Sequence, residues 1–380
     1  VAAANVAAWD GAAWAPLQDG FDLDVLALAT APGGDLIAAG TFTASGATPL
    51  DRIARWDGVA WAPLGAGLFG FARGVAALAG GDVVAGGDFT AAGSEPVSFA
   101  ARWDGAGWAR LSGGFNGGVN SLLPLPGGDL VAGGLFTTAG DVLANRVARW
   151  DGSAWAPLGA GVGGALFLLP PNVEALARLP NGDLVAGGLF GTAGGAPAPF
   201  VARWDGAAWS SLGVGTNDTV LCMLTMPNGD LIVGGSFTMA GGFPANRIAR
   251  WTGTSWAPLG SGMAGGAFNS NVHDLALLPN GDLVAVGNFV TSGGVTTNGV
   301  ARWDGTAWHD LAGGVTFLLP FVGVLAATVL PDGDLVVGGL FAAAGGVTAG
   351  NVARWDRSTP TAPRAPTTTT VHALASLPNG

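Results

Sequence analysis

Three histidines, His273, His309 and His372, are the side chains best suited to proton transfer or metal binding at neutral pH. His273 and His372 each follow a valine at the start of an apolar run, and Asn120 and Glu174 take the same place in two other runs. These four residues are therefore candidates for a weak ligand or proton site. Because no partner that would orient either imidazole can be named, we favour instead a position that varies between runs.

Other patterns that resemble cofactor sites are rejected. Three segments match G-x-G-x-x-G, beginning at Gly65, Gly159 and Gly260. The dinucleotide fingerprint needs a following helix to hold a pyrophosphate, and none is indicated after these segments. The Asp residues do not cluster as in a calcium loop, and the single Cys222 excludes an internal disulfide or a cysteine-based zinc site. The sequence predicts no cofactor and no metal.

The composition excludes further chemistry and some partners. The 380 residues include no Tyr, and all 15 cationic residues are Arg, so a tyrosine nucleophile or radical and a lysine Schiff base are ruled out. The net charge is -11 without a basic run, whereas nucleic acids and anionic membranes bind through clustered Lys and Arg. With 49% hydrophobic residues, the chain can bury a large core.

The elements that position these residues come from an internal repeat. One phrase, A-R-W-D-G-x-x-W, carries two Trp that are five residues apart, and a second, L-P-N-G-D-L-V-A-G-G, carries an Asp. The spacing from each of these Asp to the first Trp of the A-R-W-D-G phrase that follows it is always 21 residues. The spacing from that Trp to the Asp of the next repeat ranges from 26 to 33 residues. Length variation is therefore confined to one half of the repeat.

Each half of the repeat is predicted to be a β-hairpin. Residues 173–190 contain two apolar runs around Asn-Gly, and residues 200–209 contain two more around Asp-Gly. Both dipeptides favour positive φ, so we expect a two-residue type I′ turn in each hairpin. Four strands then form in each unit of 47 to 54 residues, and no helical periodicity extends over ten residues.

Four-stranded antiparallel units at this period predict an all-β fold, the β-propeller. Units begin near residues 25, 75, 119, 173, 220, 272 and 324 of a single domain, 1–380. Residues 1–17 and 371–380 are expected to form a composite closing blade that hides a strand edge. We predict eight blades, with seven as the alternative because the composite lacks one strand. First strands line the channel of a propeller, so Asn120, Glu174, His273 and His372 are predicted to face it.

The blades resemble kelch and galactose-oxidase-type repeats. Shared features are an apolar strand ending in Gly-Gly, as at Gly133-Gly134, and an aromatic and a Trp on the next hairpin. Trp stands where kelch blades usually carry Tyr, and the two aromatics are closer together. Residues 235–253 are also similar to repeats of fungal cortical polarity markers and predicted bacterial surface proteins. The resemblance implies a propeller and little about activity, since galactose-oxidase chemistry and the sialidase nucleophile both need Tyr.

The repeated Trp, Arg and Asp are predicted to build blades rather than bind a ligand. Every Trp occupies a repeat position, which favours packing between blades over sugar stacking. Seven Arg stand directly before a first Trp, and the Asp of the Asn-Gly-Asp turn also recurs seven times. Equal numbers at a fixed spacing predict an Arg–Asp ion pair in each blade, or a guanidinium lying on an indole.

Apolar insertions occupy the connections from a fourth strand to the next first strand, within residues 161–172, 262–271 and 314–323. Uncharged apolar loops on a rigid scaffold indicate a surface that a partner or acyl chains cover. The alternative is a plug over the channel mouth. The predicted partner-binding residues are Phe69 and Phe71 in a shorter loop, and Leu166, Phe167, Leu168, Leu169, Phe317, Leu318, Leu319 and Phe321.

Residues 312–331 are uncharged over 20 positions, but Pro320 and Gly323 fall inside and the segment aligns with a first strand, so we predict no transmembrane span. The chain begins at Val1 without Met, and we expect a processed or incomplete protein that is periplasmic, on the cell surface or secreted.

The predicted function is a non-catalytic scaffold that docks onto a protein partner, such as a membrane-embedded complex to which it is an accessory subunit. The alternative is a secreted propeller that binds or cleaves glycans, which requires paired carboxylates on one face. Acids outside the turns, such as Asp22, Glu95 and Asp274, show no recurring pair, which favours the scaffold.

Overall fold

The computed structural model describes residues 4–10, 14–266, 270–319, 323–356, 360–361 and 369–377. Every regular element in these ranges is a β-strand, which confirms the predicted all-β class. The chain divides into two compact units. The central unit is Phe21–Gly215, and the terminal unit is Val1–Gly20 together with Thr216–Gly380.

The central unit contains four antiparallel sheets, called first to fourth along the chain, each built from one repeat. Their strands are Val25–Thr30, Leu36–Gly40, Ile53–Trp56 and Trp61–Pro63; Leu68–Ala77, Val83–Ala92, Ala100–Trp103 and Trp108–Arg110; Val119–Pro124, Leu130–Gly134, Val147–Trp150 and Trp155–Pro157; and Asn172–Arg178, Leu184–Leu189, Val201–Trp204 and Trp209–Ser211.

The terminal unit contains the fifth to seventh sheets of the same design and a two-stranded sheet near the start of the chain, besides the short hairpins described below. The strands of the larger sheets are Val220–Thr225, Leu231–Gly235, Ile248–Trp251 and Trp256–Pro258; Val272–Leu277, Leu283–Gly287, Val300–Trp303 and Trp308–Asp310; and Val324–Val329, Leu335–Gly339, Val352–Trp355 and Pro360–Thr361. The two-stranded sheet pairs Ala7–Trp9 with Trp14–Pro16.

A short hairpin lies between the second and third strands of each of these seven sheets, and in the second sheet its first segment is the end of the second strand. The paired segments are Ala44–Ser45 with Thr48–Pro49, residues 91–92 with Glu95–Pro96, Thr138–Ala139 with Val142–Leu143, Thr192–Ala193 with Ala196–Pro197, Met239–Ala240 with Phe243–Pro244, Thr291–Ser292 with Val295–Thr296, and Phe341–Ala344 with Val347–Thr348.

The predicted hairpins are present, but the prediction of type I′ turns in them was wrong. In the fourth sheet, the Gly182 N–H donates to the Leu179 oxygen at 2.9 Å, and the Leu179 N–H donates to the Asp183 oxygen at 2.8 Å. Gly182 has a φ of 97°, while the residue before it is not left-handed. These bonds are typical of a type I turn that ends in a glycine bulge. Pro180 suits the first central position of this turn, and the second sheet forms the same bonds with Ala79 there.

The Asp of the Trp-Asp-Gly turn caps the loop that follows it. Asp151 Oδ1 accepts hydrogen bonds from the N–H groups of Ala154 and Ser153, both at 2.8 Å. These bonds lower the pKa of Asp151 to about 2. The same pair of backbone bonds recurs at Asp57, Asp104, Asp205 and Asp304. Turn chemistry therefore accounts for these repeated acids.

An Arg–Asp ion pair joins the second and third strands of each of the seven sheets, which confirms the predicted pairing. Arg203 Nε lies 2.5 Å from Asp183 Oδ2, and the Asp side chain is the more buried, at 9% exposed against 36%. The other pairs are Arg55–Asp35, Arg102–Asp82, Arg149–Asp129, Arg250–Asp230, Arg302–Asp282 and Arg354–Asp334. A guanidinium also lies over an indole at Arg354, 4.6 Å from the Trp9 ring centroid.

Replacing Arg203 with glutamine is expected to lower the free energy of unfolding by about 1 kcal/mol. Asp183 would lose its charged partner, while the partial exposure of the guanidinium limits the contribution of the pair. Urea unfolding against the wild-type chain measures the effect, and Arg203→Lys should recover part of the loss. Equal stability of R203Q and wild type would show that the pair contributes nothing.

The second Trp of a hairpin ties its sheet to the preceding one. Trp155 Nε1 donates to the Leu111 oxygen at 3.1 Å, and Trp108 Nε1 donates to the Leu64 oxygen at 2.7 Å. The same bond joins Trp209 to Leu158 and Trp308 to Leu259. All 15 Trp lie in the described ranges, and none of them is exposed. They have the packing role that their repeat positions predict.

The first strand of each of the seven sheets carries a β-bulge at one shared place. The register with the second strand shifts between Val119 and Ser121, for example, and Asn120 is left unpaired in the ladder. The bulged residues are Leu26, Arg73, Asn120, Glu174, Leu221, His273 and Leu325. Since a bulge redirects a side chain, Asn120, Glu174 and His273 share a structural position, whereas His372, which the sequence groups with them, is not on a strand.

The two ends of the chain meet within the terminal unit. The Val371 N–H donates to the Gly339 oxygen at 2.9 Å, next to the second strand of the seventh sheet. The Thr369 hydroxyl hydrogen-bonds to Asn5 Oδ1. The described residues 370–377 form no strand, and His372 lies there, directly after Val371.

Candidate functional site

The insertion-bearing connections pair with the short hairpins described above. The paired segments are Val162–Gly163 with Thr192–Ala193, Met263–Ala264 with Thr291–Ser292, and Val315–Phe317 with Phe341–Ala344. In an antiparallel sheet both kinds of connection lie at the end opposite the tight turns. We call this end of each sheet its connection edge.

A two-residue turn at Phe167 and Leu168 forms the tip of the longest insertion. The Leu169 N–H donates to the Leu166 oxygen at 2.9 Å, and Phe167 and Leu168 have φ values of 53° and 63°. Positive φ at both central residues is typical of a type I′ turn, which normally carries Asn-Gly. A left-handed conformation costs about 1–2 kcal/mol for an ordinary residue, so this turn is strained.

The tip is anchored at its base and open at its apex. Leu166 is partly buried, and the Phe167 ring lies 6.3 Å from the Phe200 ring, with 26° between their planes. The exposed fractions are 67% for Phe167, 102% for Leu168 and 54% for Leu169. The structure therefore brings these predicted residues together on the surface of the central unit.

Phe69 and Phe71 lie on a strand, and their predicted loop was wrong. The first strand of the second sheet begins at Leu68 and pairs with the second strand as far as Ala92. The N-terminal part of this strand, from Leu68, therefore extends the second sheet as far as its connection edge. Phe69 is 73% exposed and Phe71 is 50% exposed, and residues two apart on a strand point to the same side.

In the terminal unit, the predicted partner-binding residues divide between core and surface. Phe317 is partly buried and packs against a core cluster that includes Phe341. Leu318 and Leu319 are 53% and 43% exposed. Phe321 lies outside the described residues.

A polar cluster surrounds the bulged Glu174 in the central unit. Asn172 Nδ2 donates to Glu174 Oε1 at 2.7 Å, and Asn120 Nδ2 donates to Oε2 at 3.3 Å. Burial raises the pKa of Glu174, while Arg73 and these two amides act in the opposite direction. Arg73 itself pairs with Asp88, with Nε 2.5 Å from Oδ2. The carboxyl group is thus satisfied within the protein, as is typical of a buried structural acid.

His273 and Asp274 place two titratable groups side by side in the terminal unit. Burial lowers the pKa of His273 to about 4, so its imidazole is neutral at pH 7. Burial raises the pKa of Asp274 to about 6, although its carboxyl accepts hydrogen bonds from the Ala327 N–H at 2.9 Å and the Leu275 N–H at 2.8 Å. In the sequence, Asp274 is one of the scattered acids that show no recurring pair. The sequence signal for its role is its position directly after the bulged residue, from which Asp274 reaches the next sheet. That the bulged residues face a channel stays a prediction.

The described residues contain no helix that is long and apolar enough to span a membrane. Within the same ranges, no three His, Cys, Asp or Glu side chains lie close enough together to hold a metal ion.

Two segments, residues 227–252 and 330–356, match a family model described as a domain of unknown function (DUF5122) beta-propeller. Each segment contains the second and third strands of a repeat. No curated protein sequence is significantly similar to the chain.

Several solved structures are similar in fold. One described as YCF48 bound to D1 peptide has a TM-score of 0.50 and 16% identity, covering 88% of this chain and 96% of that chain. The WD40 beta propeller domain of Doa1 has a TM-score of 0.49 and 15% identity, covering 88% and 93%. A catalytically inactive virginiamycin B lyase from Staphylococcus aureus with quinupristin has a TM-score of 0.47 and 11% identity, covering 85% and 92%.

The chain has a β-propeller fold, as the family match and the similarity to the YCF48 structure show. Identities this low show fold alone, because one fold hosts unrelated functions. The finer resemblance to kelch repeats stays a prediction.

Proposed function

We propose that this chain is a non-catalytic β-propeller scaffold that binds a protein partner through its connection edges. The observation that carries the proposal is the turn at Phe167 and Leu168, where a strained backbone presents two bulky apolar side chains to solvent. Strain of this kind persists mainly at functional sites. Burying a Phe or Leu side chain against a partner contributes about 1.5–3 kcal/mol each, which offsets the strain.

Other exposed apolar groups support the same role. Phe69 and Phe71 are exposed on the connection edge of the second sheet, and Leu318 and Leu319 are exposed in the terminal unit. Aromatic and apolar groups of this kind are typical anchors of protein interfaces. One structure of the same fold, YCF48, is described as bound to a peptide, so the fold is compatible with peptide binding.

The finer form of the proposal is an accessory subunit that acts outside the cytoplasm on a membrane complex. Uncharged apolar insertions suit a surface beside a bilayer. We also propose that the two-stranded sheet and residues 371–380 belong to an eighth blade. The Val371–Gly339 bond and the Thr369–Asn5 contact support that arrangement.

Replacing Phe167 and Leu168 together with Asn and Gly is expected to raise stability and to abolish partner binding. Asn-Gly adopts the type I′ geometry without strain, so the free energy of unfolding should rise by about 1–2 kcal/mol after loss of the Phe167–Phe200 contact. The same change removes the apolar anchors. Wild-type protein and the variant are each immobilised and incubated with a cell extract. A protein is counted as a partner if the wild type retains at least about ten times as much of it as the variant does.

The matched control is Val59→Asn, because Val59 is 77% exposed in the central unit but lies in a tight turn rather than on a connection edge. This control should retain the same proteins as the wild type. Equal retention by the Asn-Gly variant, in a folded state, would overturn the docking proposal.

A further inference from the structure

Three arginines share one position at the connection edges of their sheets. Arg52, Arg146 and Arg247 each end the link between the second and third strands, and all three are left-handed, with φ values of 71°, 65° and 66°. The Arg146 N–H donates to the Phe136 oxygen at 2.8 Å, and the Gly134 N–H donates to the Arg146 oxygen at 3.0 Å. The same two bonds occur at the other two arginines. The three Cα–Cβ bonds therefore point in the same direction relative to their sheets.

Two of these arginines are paired within the protein. Arg52 Nη1 donates to the Leu68 oxygen at 3.3 Å and to Asp51 Oδ1 at 3.4 Å. Arg247 Nε donates to the Ser270 oxygen at 2.9 Å. Both backbone acceptors lie where the chain enters the next sheet. An arginine at this position is thus normally held by the connection that follows its sheet.

Arg146 has no such partner. Its Nε is buried without a hydrogen bond, and its side chain makes no hydrogen bond or ion pair with the described residues, which include the whole central unit. Burial lowers the pKa of Arg146 and no charged group opposes this effect, whereas at Arg247 the charge of Asp218 does. Buried charges in proteins are paired, so this guanidinium suits an anion that the chain itself does not supply. The residue as a whole is partly exposed, so an anion can reach it from solvent.

Arg146 directly follows the residue that anchors the longest insertion. The Val162 N–H donates to the Asn145 oxygen at 3.0 Å, at the start of that insertion. In the fourth sheet Phe200 takes the position of Arg146, with a φ of 64°, and its ring is the one that contacts Phe167. The unpaired charge and the apolar tip therefore belong to neighbouring sheets of one unit, both at the connection edge.

We propose that Arg146 binds a carboxylate of the partner, in an apolar segment whose other side chains cover the turn at Phe167 and Leu168. The inference rests on the proposed function and names the chemistry of the partner. A guanidinium binds a carboxylate through two parallel hydrogen bonds, and complementary charge gives an interface its specificity. A phosphate dianion carries more charge than one guanidinium neutralises, and residues 160–172 contain no further cation. A singly charged carboxylate is therefore the favoured anion.

Binding of 3-phenylpropionate and of its uncharged amide to the full chain tests the site without a protein partner. By ligand-detected NMR we expect a dissociation constant of about 1–5 mM for the acid, and binding at least about fivefold weaker for the amide. Arg146→Gln should abolish this preference, and Arg146→Lys should keep part of it. If R146Q does not fold, Arg146→Met also removes the charge and keeps the aliphatic stem.

The matched control is Arg52→Gln, which removes an arginine from the same position of another sheet in the central unit. Because the protein already pairs Arg52, this variant should bind the acid and the amide as the wild type does. Loss of the preference in R52Q as well as in R146Q would show that the effect does not belong to Arg146.

Two peptides distinguish the sources of the carboxylate. Leu-Phe-Glu-Leu blocked at both ends carries it on a side chain, and Leu-Phe-Gln-Leu blocked only at its N-terminus carries it at the C-terminus. Binding of either peptide that R146Q loses supports the proposal and identifies the source. Equal affinity of R146Q and wild type for the acid and both peptides, or no saturable binding up to about 10 mM, would overturn it. Tighter binding of phenyl phosphate than of 3-phenylpropionate would also overturn it.

The outcome for the site can be told apart from that for the proposed function. If the acid binds at Arg146 but no protein is retained from the cell extract, the carboxylate site stands and the protein partner fails. If proteins are retained through Phe167 and Leu168 but the acid and the peptides do not bind, the docking surface stands and the carboxylate site fails.

Discussion

Replacing Trp155 with alanine is expected to lower the free energy of unfolding by about 3–5 kcal/mol. The indole is only 5% exposed, and its ring lies 4.7 Å from the Phe115 ring and 5.4 Å from the Trp150 ring. Its Nε1 donates to the Leu111 oxygen at 3.1 Å. The substitution therefore leaves a cavity between two sheets and an unpaired carbonyl oxygen at the same place.

Urea unfolding followed by circular dichroism measures this loss. Trp155→Phe keeps most of the apolar area and removes the hydrogen bond, so we expect about 1–2 kcal/mol for that variant. Val59→Ala, on the exposed surface of the same unit, should change stability by less than about 0.5 kcal/mol. If W155A lost no more than this surface control, the second Trp would not be an anchor between sheets.

The stabilities of His273→Asn and Asp274→Asn are expected to change with pH in opposite directions. The pKa of His273 is about 4 in the folded protein against 6.5 ordinarily. The unfolded chain therefore binds the extra proton between these values, and the His273 contribution to stability rises with pH across that window. The pKa of Asp274 is about 6 against 3.8. Between these values the folded state binds more protons at Asp274 than the unfolded chain does. The Asp274 contribution to stability therefore falls as pH rises from about 4 to about 6.

In the wild-type chain the two contributions largely cancel between pH 4 and pH 6. The pKa shift of either group corresponds to a contribution of at most about 3 kcal/mol to the free energy of unfolding. Because both side chains are partly exposed, we expect a contribution of about 2 kcal/mol. Relative to wild type, D274N should gain stability with rising pH and H273N should lose it. Urea unfolding at several pH values gives both slopes, with His309→Asn as the control on a solvent-accessible imidazole. Parallel pH profiles for all three variants would contradict the assignment.

The fold was predictable from sequence because it rests on repeated local signals. The Asn-Gly and Asp-Gly dipeptides mark hairpins whatever their turn type, and the fixed spacing between Arg203 and Asp183 places the two on adjacent strands. The turn geometry was not predictable from the dipeptide alone, because the turn starts one residue earlier than the dipeptide indicates, at Leu179, and the second sheet forms the same turn with Ala79 in place of Pro180.

The site was predictable only in part. The uncharged run around Phe167 indicates exposure, but strain at Phe167 and Leu168 depends on dihedral angles that no pattern of residue types records. Phe69 and Phe71 were predicted to lie in a shorter loop between a fourth strand and the next first strand. Pairing with the connection hairpin makes that segment a strand. The contact between Asn120 and Glu174 joins residues 54 apart in the chain, and it depends on how two neighbouring sheets align.

The direction of the indole hydrogen bonds has a consequence for synthesis on the ribosome. Trp108, Trp155 and Trp209 each donate backwards along the chain, to acceptors 44, 44 and 51 residues earlier. At about 5–20 residues per second, each acceptor is made about 2 to 10 s before its donor emerges. Each of these three indoles therefore meets an acceptor that has already been made, and these sheets can be added one by one from the N-terminal side. Ending the chain after Trp209 would leave all three acceptors in place, whereas removing the N-terminal residues as far as Leu64 would leave Trp108 without its acceptor.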